Sequence, residues 1–131
     1  MPWQCFMVED LGYSQNENGE VSWRKFRLAD GSEVLWNDLK PGAMWWSRYS
    51  GEPDELCIKL PGGNVGNEFN MDLGRHRNEG KMTKIHPAWQ RTGEAPNITL
   101  TPSINWVGQY HGWLQNGILT DDCEGRTYGS I

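Results

Sequence analysis

The spacing of glycine and proline constrains this chain more than any other feature of its sequence. Sixteen glycines and seven prolines divide the 131 residues into short pieces, and nowhere do ten consecutive residues hold the 3.6-residue apolar period of a helix. Short alternating pieces bounded by turn residues are typical of strands. We therefore expect an all-β or β-dominated fold, a small sandwich or partly open barrel with long loops and little helix.

Two Xaa-Gly turns predict hairpins, because glycine adopts the positive φ that matches the twist of paired strands. Asp30-Gly31 predicts a hairpin of Val21–Leu28 with Glu33–Trp36, and Asn116-Gly117 predicts one of Gln109–Leu114 with Ile118–Thr120. Further strands are predicted at Trp3–Glu9, at Leu56–Leu60, around Trp89 and at Ile98–Thr101, the last broken by Pro102-Ser103. Ser14–Gly19 is predicted to be a loop, Ala43–Trp46 a strand or a single helical turn, and Asn64–Lys81 a long loop with one strand at most.

The length of the chain and its cysteine content favour a single domain without disulfide bonds. We expect residues 1–131 to form a single domain with no repeat. Cys5, Cys57 and Cys123 are odd in number and lack close pairing, so no disulfide framework is expected. No charged and then apolar segment opens the sequence, and no apolar run approaches the roughly 20 residues that span a bilayer. We expect a soluble protein made in a cytoplasm, without a membrane partner.

Tryptophan is abundant, with eight copies along the chain. Packed in a core, each would bury about 150–250 Å². Trp45 and Trp46 are the best candidates for an exposed platform or interface anchor, and Trp113 is a further one. The adjacent pair cannot both point inward on an extended strand, because neighbouring side chains face opposite sides.

The charges are unevenly distributed. A net charge of −5 argues against a nucleic-acid partner, yet basic residues predominate between Arg75 and Arg91. This stretch is either a solvated loop or an anion-binding patch, and Arg75, His76 and Arg77 are its candidate binding residues. Acidic residues crowd the N-terminal part instead, so head-to-tail contact between copies of the chain is electrostatically reasonable.

No motif for catalysis stands out. A nucleophile beside a base, a pair of acids or a phosphate-binding glycine loop would indicate an enzyme. The glycine-rich residues 61–66 lack the dinucleotide-binding spacing, and nothing shows that Asp121-Asp122 converges with other functional groups. We therefore predict no catalytic residues and no cofactor.

The segment PNITLTPSI, followed by YHGWLQNGI and then Asp122-Cys123, resembles a family of small uncharacterised proteins of tailed phages and prophages. Some members of that family carry the unsupported label "ammonia monooxygenase". Its pattern is a PTLTPS strand, a histidine-containing hairpin with an Asn-Gly turn and an Asp-Cys pair. The resemblance covers about half the chain, and it implies a phage origin and a β-rich fold without an established activity.

Many of these relatives place a cysteine before the hairpin histidine and a second histidine after the Asp-Cys pair, which suggests a metal site. This chain has Tyr110 and Glu124 in the corresponding places, so only His111 and Cys123 remain as weak ligand candidates. A soft or borderline metal takes three or four nitrogen or sulfur ligands. The expected role of His111 is therefore that of a hydrogen-bonded histidine on a hairpin.

These observations together predict a non-enzymatic phage protein. We expect a virion component, such as a capsid decoration protein, that binds a capsid or other phage structural protein or further copies of itself. The alternatives are a glycan-binding module with tryptophans stacked on sugar rings, an inhibitor of a host factor, and a small metal-dependent enzyme. The expected location is the virion.

Overall fold

A computed structural model describes residues 2–15, 17–19, 21–47, 55–62, 68–72, 90–106, 109–126 and 128. The expected β-dominated fold is confirmed, and within these ranges no sheet closes into a barrel. The strands are β1 (Trp3–Gln4), β2 (Phe6–Met7), β3 (Glu9–Gln15), β4 (Val21–Arg27), β5 (Glu33–Leu35), β6 (Ala43–Trp46), β7 (Leu56–Lys59), β8 (Glu68–Asn70), β9 (Gln90–Thr92), β10 (Thr99–Trp106), β11 (Tyr110–Gln115) and β12 (Ile118–Leu119). A 3₁₀ helix covers Trp36–Asp38. No helix in the described ranges is long and apolar enough to cross a membrane.

The strands form three sheets. A five-stranded sheet has the order β1-β12-β11-β10-β9, a four-stranded sheet the order β2-β6-β7-β8, and a three-stranded sheet the order β3-β4-β5. Most neighbouring strands are antiparallel, whereas β2 runs parallel to β6. We call these the five-stranded, four-stranded and three-stranded sheets below.

The four-stranded sheet lies between the other two, because its faces belong to different hydrophobic clusters. Met44 and Ile58 pack in one cluster with Leu100 and Leu114 of the five-stranded sheet. Their strand neighbours Trp45 and Cys57 pack in the other, with Phe26 of the three-stranded sheet. All four residues of β7 are buried, as expected for a strand covered on both faces.

Phe26 and two tryptophans centre the second cluster. Trp45 lies 4.9 Å from Phe26 and 5.9 Å from Trp36, measured between ring centroids. The ammonium of Lys59 is buried beside them, and its Nζ donates hydrogen bonds to the carbonyl oxygens of Trp36 (2.7 Å) and Leu39 (2.5 Å). This cation therefore holds the 3₁₀ helix against the central sheet.

The N-terminal segment crosses all three sheets. The predicted first strand, Trp3–Glu9, is divided into β1, β2 and the start of β3, each in a different sheet. The amide of Cys5 donates to the carbonyl oxygen of Gly117 (2.8 Å), and the amide of Val8 donates to that of Met44 (2.8 Å). These two bonds fix the points where the chain passes from one sheet to the next.

Both predicted Xaa-Gly hairpins are present. Strands β4 and β5 pair across the Asp30-Gly31 turn, and β11 and β12 pair across Asn116-Gly117. Asn116 and Gly117 have φ values of 46° and 78°, the positive values that a two-residue hairpin turn requires. Ala43–Trp46 is a strand rather than a helical turn.

Several predicted element boundaries differ from the structure. The loop predicted at Ser14–Gly19 begins too early, because β3 continues to Gln15. The strand around Trp89 falls at Gln90–Thr92, and Trp89 itself lies outside the described residues. Of the long loop predicted at Asn64–Lys81, the structure describes 68–72, which includes β8.

The expected break at Pro102-Ser103 is wrong. Strand β10 continues through both residues to Trp106. It can do so because β9 pairs with Thr99, Leu100 and Thr101 only, so the ladder to β9 ends before the residue that lacks an N–H donor. On the other side, the register with β11 shifts between Leu100 and Ile104. Pro102 therefore lies at an irregularity of β10, where its missing N–H interrupts no regular pairing.

Candidate functional site

A bulge in β10 shapes the surface of the five-stranded sheet. Leu100 pairs with Leu114, and Ile104 pairs with Gly112. Three residues of β10, numbers 101–103, thus oppose the single residue Trp113. Leu100 and Ile104 on either side of the bulge are buried, while residues 101–103 lie towards solvent. Bulges of this kind re-aim side chains and are common beside active sites.

The bulge brings Ser103 against His111 of β11. The hydroxyl oxygen of Ser103 lies 3.3 Å from Nε2 of His111. Both residues are partly accessible to solvent. A hydroxyl within reach of an imidazole nitrogen can lose its proton to that nitrogen as it attacks an electrophile.

The other nitrogen of the same imidazole faces a carboxylate. Nδ1 of His111 lies 3.4 Å from Oε2 of Glu124. A carboxylate in this place favours the tautomer with the proton on Nδ1, which leaves Nε2 as the acceptor for the hydroxyl of Ser103. It also stabilises the imidazolium that forms when the hydroxyl proton is taken up. Ser103, His111 and Glu124 therefore form a continuous series of nucleophile, base and carboxylate.

Asp122 organises the segment that carries Glu124. Its carboxylate is fully buried and accepts hydrogen bonds from the amides of His111 (3.3 Å) and Glu124 (2.7 Å), from Nη1 of Arg126 (2.9 Å) and from the hydroxyl of Tyr128 (2.6 Å). Burial alone would raise the pKa of Asp122, but these hydrogen bonds outweigh it and lower the pKa to about 2. Asp122 therefore remains ionised at neutral pH, and the hydrogen bond that it accepts from His111 comes from the backbone amide.

Tyr110 fixes the end of the strand that leads into this segment. Its buried hydroxyl donates a hydrogen bond to the carbonyl oxygen of Thr120 (2.7 Å), and burial raises its pKa. The ring lies across Gly112, where an added Cβ would clash with the tyrosine hydroxyl. The amide of Cys123 continues the pairing by donating to the carbonyl oxygen of His111 (2.6 Å). Residues 120–123 are thus held along β11.

The three tryptophans predicted to bind a partner lie in different surroundings. Trp45 is fully buried, so it belongs to the core and not to a free surface. Trp46 points the other way with 45% of its surface exposed, and the guanidinium of Arg91 lies 5.5 Å from its ring centroid. Trp113 is 38% exposed and faces the bulge in β10. The interface roles of Trp46 and Trp113 stay predictions.

The other predicted binding residues divide into two groups. Arg75, His76 and Arg77 lie outside the described residues. His111 and Cys123 are neighbours, but they meet through backbone atoms, and both imidazole nitrogens of His111 face other residues. No group of three or more potential metal ligands occurs in the part of the chain that the structure describes.

Sequence reasoning missed Ser103, Glu124 and the role of Asp122. The predicted strand break at Pro102-Ser103 conceals the fact that Ser103 shares a sheet with His111. The available signal was the Ser-(x)₇-His spacing across the turn between β10 and β11, since antiparallel partners lie close together. No pattern in the chain order links Glu124 to His111.

A hydroxyl, an imidazole and a carboxylate in this order are the catalytic arrangement of serine hydrolases. Comparison with protein families agrees with this class. Residues 32–120 match the model of the bacterial ubiquitination-like system serine protease (BubE), and because the match covers well over half of the chain, the protein belongs to this family. The matched region includes Ser103 and His111 and ends before Asp122 and Glu124. Neither a curated protein nor a solved structure matches the chain.

The family match corrects the expectations drawn from the resemblance to phage proteins. The family shown is a bacterial protease family and not a phage structural one, so the prediction of a non-enzymatic virion or capsid decoration protein is wrong. The glycan-binding, host-inhibitor and metal-dependent alternatives fit the match no better. The reason for expecting a capsid partner and a virion location is removed as well, and the comparisons name neither a partner nor a location for this chain.

Proposed function

We propose that this protein is a serine protease that acts within a bacterial ubiquitination-like system, with Ser103 as the nucleophile and His111 as the general base. The observation that carries the proposal is the position of Ser103 Oγ at 3.3 Å from Nε2 of His111 while Nδ1 faces Glu124 at 3.4 Å. Catalytic hydrogen bonds of this kind commonly tighten to about 2.6–3.2 Å in the Michaelis complex.

The first half of the reaction forms an acyl-enzyme. Ser103 Oγ attacks the carbonyl carbon of the substrate amide as its proton moves to Nε2 of His111. The carbonyl π bond opens and leaves a negative oxygen on the tetrahedral intermediate. The intermediate then collapses, the C–N bond breaks, and Nε2 gives the proton to the leaving amine.

The second half regenerates the enzyme. Water gives a proton to Nε2 as its oxygen attacks the acyl carbon, and the bond to Ser103 Oγ breaks as the proton returns to it. The products are a carboxylic acid and an amine. In a ubiquitination-like system such an amide bond joins a modifier to its target or to a terminal extension, and we propose bonds of this kind as the substrates.

The location of the site supports this role. The three groups lie on the solvent side of the five-stranded sheet, so a polypeptide can reach Ser103 without unfolding the domain. Trp113 lies across the bulge from Ser103 on the same face, and we propose it as an apolar contact for the bound peptide.

A fluorophosphonate probe tests the proposal directly, because it phosphonylates an activated serine and needs no knowledge of the natural substrate. We expect one modified residue, Ser103, identified by peptide mass spectrometry. Ser103→Ala should abolish labelling, and His111→Ala should slow it by about 10²-fold or more. Ser32→Ala changes an exposed serine in the Asp30-Gly31 turn and serves as the matched control. Labelling elsewhere, or labelling of Ser103 at an unchanged rate in His111→Ala, would contradict the proposed mechanism.

A further inference from the structure

Amide hydrolysis through a serine creates a negative oxygen that must be stabilised. Removing one donor to such an oxyanion commonly lowers kcat by about 10²–10³-fold. In this site the hydroxyl, the imidazole and the carboxylate already have roles as nucleophile, base and orienting group. The proposed reaction therefore requires a further hydrogen-bond donor beside Ser103.

Asn105 has the right place in the sheet. Its Cα is the direct antiparallel partner of His111, a relationship that puts the two Cβ atoms about 4.5–5.5 Å apart on one face. Ile104 is 1% exposed and points into the core, so Ser103 and Asn105 on either side of it point outward. Ser103, His111 and Asn105 thus converge on a single solvent-facing patch.

The carboxamide of Asn105 is also available. The residue is exposed, and its side chain makes no hydrogen bond with any other residue in the described ranges. An amide Nδ2 carries two N–H donors and no charge, so it can stabilise a developing oxyanion without attracting a proton from the imidazole.

Two other polar side chains of this sheet, Tyr110 and Thr120, are already engaged. The hydroxyl of Tyr110 is buried and donates to the carbonyl oxygen of Thr120. Oγ1 of Thr120 accepts from the amide of Trp113 (2.9 Å) and lies 3.1 Å from the carbonyl oxygen of Asp121, to which it donates. Asn105 is thus better placed than Tyr110 or Thr120 to donate a hydrogen bond to the oxyanion.

We propose that Asn105 is a catalytic residue, whose Nδ2 donates a hydrogen bond to the oxyanion of the tetrahedral intermediate. This inference rests on the proposed serine protease function. The oxyanion forms on the carbonyl carbon attacked by Ser103, and Nδ2 keeps its protons throughout, so no covalent change occurs at Asn105. Its contribution belongs to the transition state and not to binding of the ground state.

The test uses the full chain and the chromogenic ester p-nitrophenyl acetate, whose hydrolysis proceeds through the same acyl-enzyme. Asn105→Ala should lower kcat by about 10²-fold or more and change KM by less than about threefold. Asn105→Asp should be at least as slow, because its negative charge repels the oxyanion. Gln115→Ala is the matched control, since Gln115 is an exposed amide further along the same face of β11.

The outcomes separate this inference from the function on which it rests. If Ser103→Ala abolishes hydrolysis while Asn105→Ala keeps kcat within threefold of the wild type, the role of Asn105 is overturned and the protease proposal stands. If Ser103→Ala hydrolyses the ester as fast as the wild type, the protease proposal itself fails. A thermal unfolding midpoint for Asn105→Ala equal to that of the wild type shows that a lower kcat reflects chemistry and not loss of fold.

Discussion

Asp122 and His111 are joined through the backbone of the histidine and not through its ring. Oδ2 of Asp122 accepts a hydrogen bond from the amide nitrogen of His111 at 3.3 Å, while the imidazole points to Glu124. The two acids therefore have different roles. Asp122 holds the segment in place, and Glu124 contacts the imidazole of His111, which we propose as the general base.

Glu124 should matter for catalysis and little for stability. Because half of its side chain is exposed, Glu124→Gln should leave the free energy of unfolding within about 0.5 kcal/mol of the wild-type value. It should lower kcat for p-nitrophenyl acetate by about 10²-fold, since the imidazole loses the group that orients it. Glu94→Gln, an exposed glutamate before the turn into β10, is the control and should change neither quantity.

Asp122 should matter for stability first. Asp122→Asn removes the charge from a buried group that accepts four hydrogen bonds, and we expect it to lower the free energy of unfolding by about 2–3 kcal/mol. Urea denaturation followed by tryptophan fluorescence measures the change. A loss below about 0.5 kcal/mol would show that the hydrogen bonds around Asp122 do not hold this segment.

The same carboxylate predicts a specific acid sensitivity. The pKa of Asp122 is about 2 in the folded protein and about 3.9 in an unfolded chain. Because the folded value is the lower one, ionised Asp122 stabilises the fold above about pH 4, and this contribution is lost as the pH falls towards 2. The free energy of unfolding of the wild type should therefore decline over this interval more steeply than that of Asp122→Asn. Parallel slopes for the two proteins would contradict the assignment.

Replacing the buried Trp45 should destabilise the protein much more than replacing the exposed Trp46, which serves as the control. Trp45→Ala should lower the free energy of unfolding by about 3–5 kcal/mol, because it opens a cavity among Phe26 and Trp36. Trp46→Ala removes a ring that is 45% exposed and should cost about 1 kcal/mol or less. Equal losses in urea denaturation would mean that the two rings do not lie on opposite sides of the strand.

Alanine substitutions at Gly117 and Gly19 should distinguish the free-energy cost of backbone strain from the cost of steric contact. Both have φ values near 80°, at 78° and 79°. An added Cβ at Gly117 would lie 2.9 Å from the carbonyl oxygen of Pro96, whereas at Gly19 it would meet nothing within 4 Å. Alanine at either position should cost about 1–3 kcal/mol from the backbone alone. Gly117→Ala should cost more than Gly19→Ala, and thermal unfolding of both variants measures the difference.

The sequence predicts the parts of this fold that depend on local chemistry. Asn116-Gly117 and Asp30-Gly31 specify hairpins because few other residue pairs adopt their backbone angles. The short alternating runs predict β structure for a similar reason, since their period is fixed by strand geometry. For Trp45 and Trp46, alternation alone predicts that one points inward and one outward.

The candidate site depends instead on distant pairing. Ser103 lies beside His111 because β10 continues past Pro102, and that depends on where β9 stops. Glu124 reaches the imidazole because Asp122 anchors its segment to β11. These contacts depend on how the strands pair in the sheet, so they cannot be predicted from local sequence propensity. The resemblance to phage proteins, which rested on this stretch of sequence, predicted the wrong family.

Because β10 contains a bulge, the position of Ser103 depends on the number of residues in this part of the strand. Three residues of one strand fit opposite one residue of the next, and the face on which each side chain emerges depends on that number. A single deletion at 101 or 102 would keep every functional group in the chain. Only two residues would then span the distance between the Leu100–Leu114 and Ile104–Gly112 pairings, so the segment that carries Ser103 would have to change its path. We therefore regard strand length in this segment as a part of the candidate site, as indispensable as the side chains themselves.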